Sequence, residues 1–97
     1  MKRIYTHNEL PEYMVASSVE EAIDLYRKWL DKTIGMNSPE FAELVEYYKP
    51  FDPEAWYALP GLRRFAVFDE HTGETRRMRA FLFALLEPKG FLASSEY

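Results

Sequence analysis

The stretch that decides the fold is SSVEEAIDLYRKWLDKTIG, residues 17 to 35. Ser18 is followed three residues later by Glu21, the spacing of a capping box, which satisfies otherwise unpaired amide groups at a helix start. Gly35 suits the left-handed conformation that closes a helix. Apolar side chains between these signals recur at spacings of three and four, which places on one face Val19, Ala22, Ile23, Tyr26, Trp29 and Leu30. The stretch therefore predicts an amphipathic helix over residues 18 to 33.

A second helix is predicted immediately downstream, in NSPEFAELVEYYKP, residues 37 to 50. Ser38 suits the N-cap, and Pro39 suits the first helical position, where its missing N–H has no partner to lose. Pro50 ends the helix. The apolar stripe of this helix contains Phe41, Leu44, Val45 and Tyr48. The segment DPEAWYALPG, residues 52 to 61, repeats the Asp-Pro start over a shorter span and predicts one or two helical turns.

Short strands are predicted on both sides of these helices. RIYT (residues 3 to 6) and EYMVA (residues 12 to 16) flank a loop and can pair as a hairpin. RRFAVFDE (residues 63 to 70) is rich in strand-forming residues, and it is followed by HTG, in which Gly73 can adopt a positive φ. After a second turn signal, FLASSEY (residues 91 to 97) predicts a final strand.

Residues 75 to 86 are compatible with two kinds of structure. A strand is preferred, because the strand over residues 63 to 69 needs a partner and the turn supplies one. A helix is the alternative, because a helical stripe is formed by Met78, Phe81, Leu82 and Leu85. With the strand, the predicted order is β-β-α-α-β-β-β. That order predicts a single globular domain over residues 1 to 97 of the α+β class, with two helices packed on one face of a small antiparallel sheet.

The composition excludes several kinds of catalytic site. The sequence has no cysteine, which rules out disulfides, thiolate nucleophiles and cysteine-based zinc sites. No nucleophile-elbow, phosphate-loop or zinc-protease motif is present. Asp69, Glu70 and His71 are consecutive, so their side chains diverge and are interpreted as a polar turn. We therefore predict no catalytic residue, no metal and no cofactor.

Hydropathy gives no sign of a membrane segment. The longest apolar run is FLFALL, far below the ~20 residues of a membrane span. The basic start of the chain is not followed by an apolar run, so no secretory signal is predicted. We expect a cytoplasmic protein without a membrane partner.

Charge is unevenly distributed along a chain whose net charge is −4. Residues 9 to 54 contain eleven acidic and four basic residues, a balance of minus seven, whereas residues 60 to 80 contain five arginines and three acids, a balance of plus two. The acidic candidates for partner binding are Glu40, Glu43 and Glu46, which lie opposite an apolar stripe. They form either a solvated outer face or a surface that meets a basic groove, including one that normally holds nucleic acid.

The basic candidates for partner binding are Arg63, Arg64, Arg76, Arg77 and Arg79. On a strand, Arg77 and Arg79 alternate onto one face with Phe81 and Phe83, while Arg76 and Met78 take the other. Three roles are open: pairing with Asp69, Glu70 and Glu74, a protein interface, or nucleic-acid contact. The acidic net charge disfavours direct nucleic-acid binding.

Aromatic side chains are numerous enough that some must be accessible. The chain contains seven Phe, seven Tyr and two Trp, more than a small core encloses fully. The predicted exposed set is Tyr13, Tyr47, Trp56, Tyr57 and Tyr97. Because exposed Tyr and Trp are common interface anchors, Trp56 and Tyr57 join the candidates for partner binding.

YMVASSVEEAIDLYRKWL, residues 13 to 30, is a strand running into a Ser-capped acidic amphipathic helix. It resembles the opening of many small accessory proteins of phages and other mobile elements, the group that includes anti-CRISPR proteins. The resemblance implies a partner-binding inhibitor or adaptor without catalysis. We predict a small binding protein that engages a protein or a protein–nucleic-acid assembly, with a homodimer as an open option. The alternatives are a nucleic-acid-binding accessory domain that uses the arginine hairpin and, third, a small enzyme.

Overall fold

The structure is a computed structural model that describes residues 1–69 and 72–94. Within these residues the chain is α+β, as predicted, with three α-helices and two antiparallel sheets. In chain order the elements are β1 (Arg3–His7), β2 (Glu12–Ala16), α1 (Val19–Thr33), α2 (Pro39–Tyr48), a 3₁₀ turn (Pro53–Ala55), β3 (Trp56–Ala58), β4 (Arg64–Asp69), β5 (Glu74–Arg79), α3 (Ala80–Leu86) and β6 (Gly90–Ser94). The larger sheet has the order β3-β1-β2-β6, and β4 and β5 form a separate two-stranded ribbon.

Both predicted helices begin and end where their capping residues indicate. Ser18 Oγ accepts a hydrogen bond from the Glu21 amide at 3.1 Å, and Glu21 Oε1 accepts one from the Ser17 amide at 2.7 Å. In α2, Ser38 Oγ accepts from the Phe41 amide at 3.1 Å. Gly35, just beyond α1, has a φ of 79°, a left-handed conformation that other residues rarely adopt.

The predicted three-stranded meander is wrong, because residues 75 to 86 are part strand and part helix. β5 ends at Arg79, which lies opposite Arg64, the first residue of β4. Beyond that point β4 offers no further partner, so the backbone satisfies its hydrogen bonds by turning into α3. The amides of Ala80 and Phe81 close the junction by donating to the carbonyls of Arg63 and Gly61 at 2.8 and 2.9 Å. The last strand, β6, pairs with β2 instead of β5.

The helical turn predicted over residues 52 to 61 is present but shorter than the segment. Asp52 Oδ1 accepts from the Glu54 amide at 3.0 Å and caps the 3₁₀ turn. The next residues form β3, a strand that the sequence does not predict. β3 pairs with the edge of β1, with Thr6 opposite Tyr57. Aromatic residues suit such an edge strand once a partner is available.

The four-stranded sheet is the middle layer of the molecule. Residues on one of its faces, including Tyr5 and Met14, pack with α1 in a first core that contains Tyr26 and Leu30. Helix α2 lies on the same side, as predicted, and packs on this core through Phe41 and Leu44. The opposite face was expected to lack a helix, but α3 and the ribbon cover it in a second core that contains Ile4, Leu59, Val67, Phe83 and Ala93.

A buried histidine holds two loops to the sheet on the first-core side. His7 is 3% exposed, and its Nδ1 accepts hydrogen bonds from the amides of Glu9 at 3.0 Å and Leu10 at 3.3 Å. Its Nε2 lies 3.2 Å from the carbonyl oxygen of Lys49, so the ring proton belongs on Nε2. His7 therefore fixes both the β1–β2 loop and the end of α2.

Candidate functional site

The outer side of the β4–β5 ribbon gathers arginines from both strands. Residues directly opposite each other across antiparallel strands project to the same side, and the register pairs Arg64 with Arg79, Ala66 with Arg77 and Phe68 with Thr75. All six are exposed, and Phe68 retains 44% of its accessible surface. We call this surface the basic face and define it as Arg64, Ala66, Phe68, Thr75, Arg77 and Arg79.

The inner side of the ribbon packs in the second core. Val67 is buried there, and Phe65 and Met78 pack against it. Arg76 also lies on this side, where its guanidinium pairs with Glu87 and sits 5.3 Å from the ring centroid of Phe83. The prediction that Arg76 and Met78 share one strand side is thus confirmed. Phe81 and Phe83 do not alternate with Arg77 and Arg79 as predicted, because both belong to α3.

The hydrogen-bonding state of the arginines differs sharply between neighbours. Arg76 pairs with Glu87 instead of a hairpin acid, and Arg79 Nη1 donates to the carbonyl oxygen of Leu62 at 2.7 Å. Neither Arg64 nor Arg77 has an ion pair or a side-chain hydrogen bond among residues 1–69 and 72–94. These two guanidinium groups can therefore bind carboxylates or phosphates without breaking an internal contact in that part of the chain.

An open groove connects the ribbon with α3. Its volume is about 510 Å³, and its lining is Arg64, Phe65, Ala66, Arg77, Met78, Arg79 and Leu82. Leu85 and Leu86 follow Leu82 by three and four residues on α3 and are exposed, Leu85 to 67%. Phe81, on the same helix, and Leu62 are two further exposed large apolar side chains, and we group the four as the apolar patch, defined as Leu62, Phe81, Leu85 and Leu86. Exposed apolar clusters beside charged residues are typical of protein interaction sites.

The acidic residues of α2 lie on the other side of the molecule. Glu40, Glu43 and Glu46 are exposed, and none forms an ion pair with another described residue. Tyr47 lies beside them with 68% of its surface exposed. We call Glu40, Glu43, Glu46 and Tyr47 the acidic face. Because α2 packs on the first core and the ribbon on the second, the sheet separates the acidic face from the basic face.

Acidic residues of α1 are partly neutralised, unlike those of α2. Asp24 pairs with Lys28, and Glu21 pairs with Lys89, each at 3.0 Å. The hydrogen bond from the Ser17 amide, and then that from Lys89, hold the pKa of Glu21 below its ordinary value. These pairs tie α1 to itself and to the α3–β6 loop, so we assign them to the scaffold.

The predicted exposure of the aromatic residues is only partly correct. Trp56 is 4% exposed, and its Nε1 donates to the carbonyl oxygen of Pro50 at 2.8 Å, so its assignment as a surface anchor is wrong. Tyr57 and Tyr47 are exposed, whereas Tyr13 is partly buried and contacts the Phe65 ring at a centroid distance of 4.7 Å. Tyr97 lies outside the described residues.

A phenol in the first core is polarised by a neighbouring carboxylate. The Tyr26 hydroxyl donates to Glu12 Oε1 at 3.2 Å. Burial, followed by the charge and the hydrogen bond of Glu12, raises the pKa of Tyr26 far above its ordinary value. The Tyr26 ring contacts the rings of Trp29 and Trp56, so this group belongs to the core and not to a surface site.

Phe68 of the basic face and Leu85 of the apolar patch are not among the site candidates predicted from the sequence. Phe68 follows Arg64 by four residues on one strand, and that alternation predicts that both share a side. Leu85 was noted only as part of a helical stripe, and its exposure depends on how α3 lies on the sheet. Neither residue carries a motif of its own.

The described residues show no metal-binding cluster. Within residues 1–69 and 72–94, no three His, Asp or Glu side chains lie together in a way that holds a metal ion. The consecutive Asp69, Glu70 and His71 were predicted to form a polar turn, but Glu70 and His71 lie outside the described residues. No helix in the described part of the chain has the length and hydrophobicity needed to cross a bilayer.

Comparison of the chain with protein-family models, with curated proteins and with solved structures gave no match. What the chain binds is therefore inferred from the chemistry of the groove, the basic face, the apolar patch and the acidic face.

Proposed function

We propose that the chain is a small non-catalytic binding protein whose groove and basic face dock on an acidic segment of a protein or of a protein–nucleic-acid assembly. The observation that carries the proposal is the shared exposure of Arg64 and Arg77 without an ion pair among the described residues. A guanidinium presents paired N–H donors that match both oxygens of a carboxylate. Two such groups on one strand pair favour a segment with closely spaced acids.

The apolar side chains beside the arginines favour a protein segment over a phosphate backbone. Leu82 lines the groove, and Leu85 and Phe81 extend the apolar surface along α3. An amphipathic acidic helix supplies both requirements, because apolar residues three and four positions apart can lie on α3 while its carboxylates reach the ribbon. The role of inhibitor or adaptor, which the resemblance of residues 13 to 30 to phage accessory proteins implies, is part of this proposal.

A second candidate function is binding of single-stranded nucleic acid. It is favoured by Phe68, which is exposed on the same side of the ribbon as Arg64 and Arg77. Arginines that contact phosphates beside an aromatic ring that stacks on a base form a common single-strand binding surface. The net charge of −4 and the acidic face oppose it, since both repel a polyanion.

Adjacent arginines on opposite sides of β5 provide the test of the proposed function. Proteins captured by the wild-type chain from its native host are compared with those captured by Arg77→Glu and by Arg76→Gln. Arg77 is exposed on the basic face, whereas Arg76 already pairs with Glu87, so we expect only Arg77→Glu to lose the partner. Titration with that purified partner should then show affinity weakened by about tenfold or more, which corresponds to about 1.4 kcal/mol.

Two results would contradict the proposed function. One is full affinity of folded Arg77→Glu for the partner. The other is equal loss in Arg76→Gln and Arg77→Glu, because that pattern follows the stability of the hairpin and not the chemistry of its outer side. Circular dichroism and thermal unfolding of both variants show whether a loss of affinity comes from unfolding of the hairpin or from the missing arginine.

A further inference from the structure

The acidic face of α2 presents closely spaced carboxylates, which the arginines beside the groove can bind. Glu43 and Glu46 are three residues apart on a helix, a rise of about 4.5 Å. On the ribbon, Arg64 lies opposite Arg79 at about 5 Å, and Arg77 lies about 7 Å along the strand from Arg79. Both faces therefore carry their charged residues a few ångströms apart along the backbone, so that two acids can lie against two arginines.

The two faces cannot meet within one molecule. The acidic face belongs to the layer on the first core, and the basic face belongs to the layer on the second core. The four-stranded sheet lies between these layers. Contact between the faces therefore requires two copies of the chain.

Both faces are also free to make that contact. Glu40, Glu43 and Glu46 have no ion pair among the described residues, and the same is true of Arg64 and Arg77. Tyr47, exposed one turn after Glu43 on the surface of α2, adds an aromatic ring that can lie on an arginine or on the apolar patch. The carboxylates of one face are thus complementary in charge to the guanidinium groups of the other.

We infer that, without another partner, the groove of one copy holds the acidic face of α2 from a second copy, so that the chain self-associates head to tail. The inference rests on the proposed function, because it uses the same groove and the same arginines. It adds a regulatory consequence: an acidic partner must displace α2 of the neighbouring copy before it binds. Because the contact joins two different faces, it leaves one groove and one acidic face unoccupied at the ends of every open assembly.

The test uses two variants that each disable one face of the full chain. Arg77→Glu disables the groove and leaves α2 intact, whereas Glu43→Lys disables α2 and leaves the groove intact. In sedimentation velocity at low salt, we expect concentration-dependent association of the wild type and association weakened by about tenfold or more in each variant alone. Added salt should weaken the wild-type association. Glu20→Lys, an equal charge reversal on α1, is the control and should associate like the wild type.

Mixing the two variants gives the decisive measurement. The intact α2 of Arg77→Glu fits the intact groove of Glu43→Lys, and the two altered faces carry exchanged charges that also attract, so the mixture should form heterodimers and restore the association that each variant alone has lost. A wild type that stays monomeric at every concentration, or a mixture that forms no heterodimer, would overturn the inference. Because only purified chain is used, that failure leaves the proposed function standing if Arg77→Glu still loses the foreign partner.

Discussion

Arg64 of β4 lies directly opposite Arg79 of β5 on the exposed side of the ribbon. Like charges in directly opposed positions destabilise an antiparallel pair. Arg79 is partly satisfied by its hydrogen bond to the carbonyl oxygen of Leu62, but Arg64 has no such contact with another described residue. Two like charges that destabilise the strands carrying them are typical of a functional site, where residues are retained for binding at a cost in stability.

Replacement of Arg64 should therefore stabilise the protein. Arg64→Thr removes the repulsion and places a β-branched residue in a strand, so we expect the free energy of unfolding to rise by about 0.2–1 kcal/mol. Urea denaturation at low and high salt measures it, and the gain should shrink as salt screens the charges. A loss of stability would show that Arg64 supports the ribbon.

His7 should be among the most sensitive polar positions. His7→Leu removes the hydrogen-bond partner of the buried Leu10 amide and of two partly buried groups, the Glu9 amide and the Lys49 carbonyl. Each unsatisfied buried group costs about 1–3 kcal/mol, so we expect a loss of at least about 2 kcal/mol in chemical denaturation.

A neighbouring residue gives the control for His7. Glu9 is exposed and contributes its backbone amide to the histidine, so Glu9→Ala should change the free energy of unfolding by less than about 0.5 kcal/mol. Comparable losses of unfolding free energy in His7→Leu and Glu9→Ala would show that any change in this loop is destabilising and that the imidazole has no special role.

The two tryptophans should differ in their contribution to stability. Trp56 is buried and its indole N–H donates a hydrogen bond to the carbonyl oxygen of Pro50. Trp56→Ala should therefore lower the free energy of unfolding by about 3–5 kcal/mol. Trp29 is only partly buried, and its ring stacks on Phe91 at a centroid distance of 4.6 Å. Trp29→Ala should therefore cost less, about 2 kcal/mol. Denaturation of both variants tests the order, and a larger loss for Trp29 would contradict the burial.

Glu21 should make stability depend on pH in the acidic range. Its pKa is lowered from the ordinary 4.5, so the folded state binds its proton less readily than the unfolded state does. The contribution of Glu21 is thus present above pH 4.5 and is lost as the pH falls through the lowered pKa. Glu21→Gln should be less stable than wild type at neutral pH, and in thermal unfolding this difference in stability should close as the pH falls below the lowered pKa of Glu21. A difference in stability between wild type and Glu21→Gln that does not change with pH would contradict a role for the ionised Glu21 carboxylate.

Local signals were sufficient to predict the two long helices and the first hairpin. The caps at Ser18 and Ser38 depend on residues three positions away, and the structure contains both. The pairing of β6 with β2 was missed because it joins residues far apart in sequence, such as Met14 and Phe91, and no local pattern selects that partner. The start of α3 was missed because it depends on where β4 begins.

The candidate site was predictable only where periodicity determined it. Strand alternation predicted that Arg77 and Arg79 share a side, and helical spacing placed Glu43 and Glu46 away from the core. Trp56 is buried by tertiary contacts that no local pattern predicts. Its Nε1 donates to the carbonyl oxygen of Pro50, and its ring centroid lies 5.5 Å from that of His7. Pairing of Arg76 with Glu87 likewise requires the turn from β5 into α3, so spacing alone assigned it to the hairpin acids.

The last prediction separates the acidic protein partner from nucleic acid. Fluorescence anisotropy with labelled single-stranded oligonucleotides should give a Kd no tighter than the non-specific range of about 10⁻⁴ to 10⁻⁶ M at physiological salt. Three arginines on the basic face predict a slope of log K against log salt of about −2, and Arg77→Ala should reduce its magnitude by about 0.7. Phe68→Ala should leave weak binding unchanged, because phosphate contact alone involves no stacking. Nanomolar binding that both Arg77→Ala and Phe68→Ala abolish would instead show that the ribbon reads bases and phosphates together, and nucleic acid would then replace the acidic protein segment as the ligand of the groove.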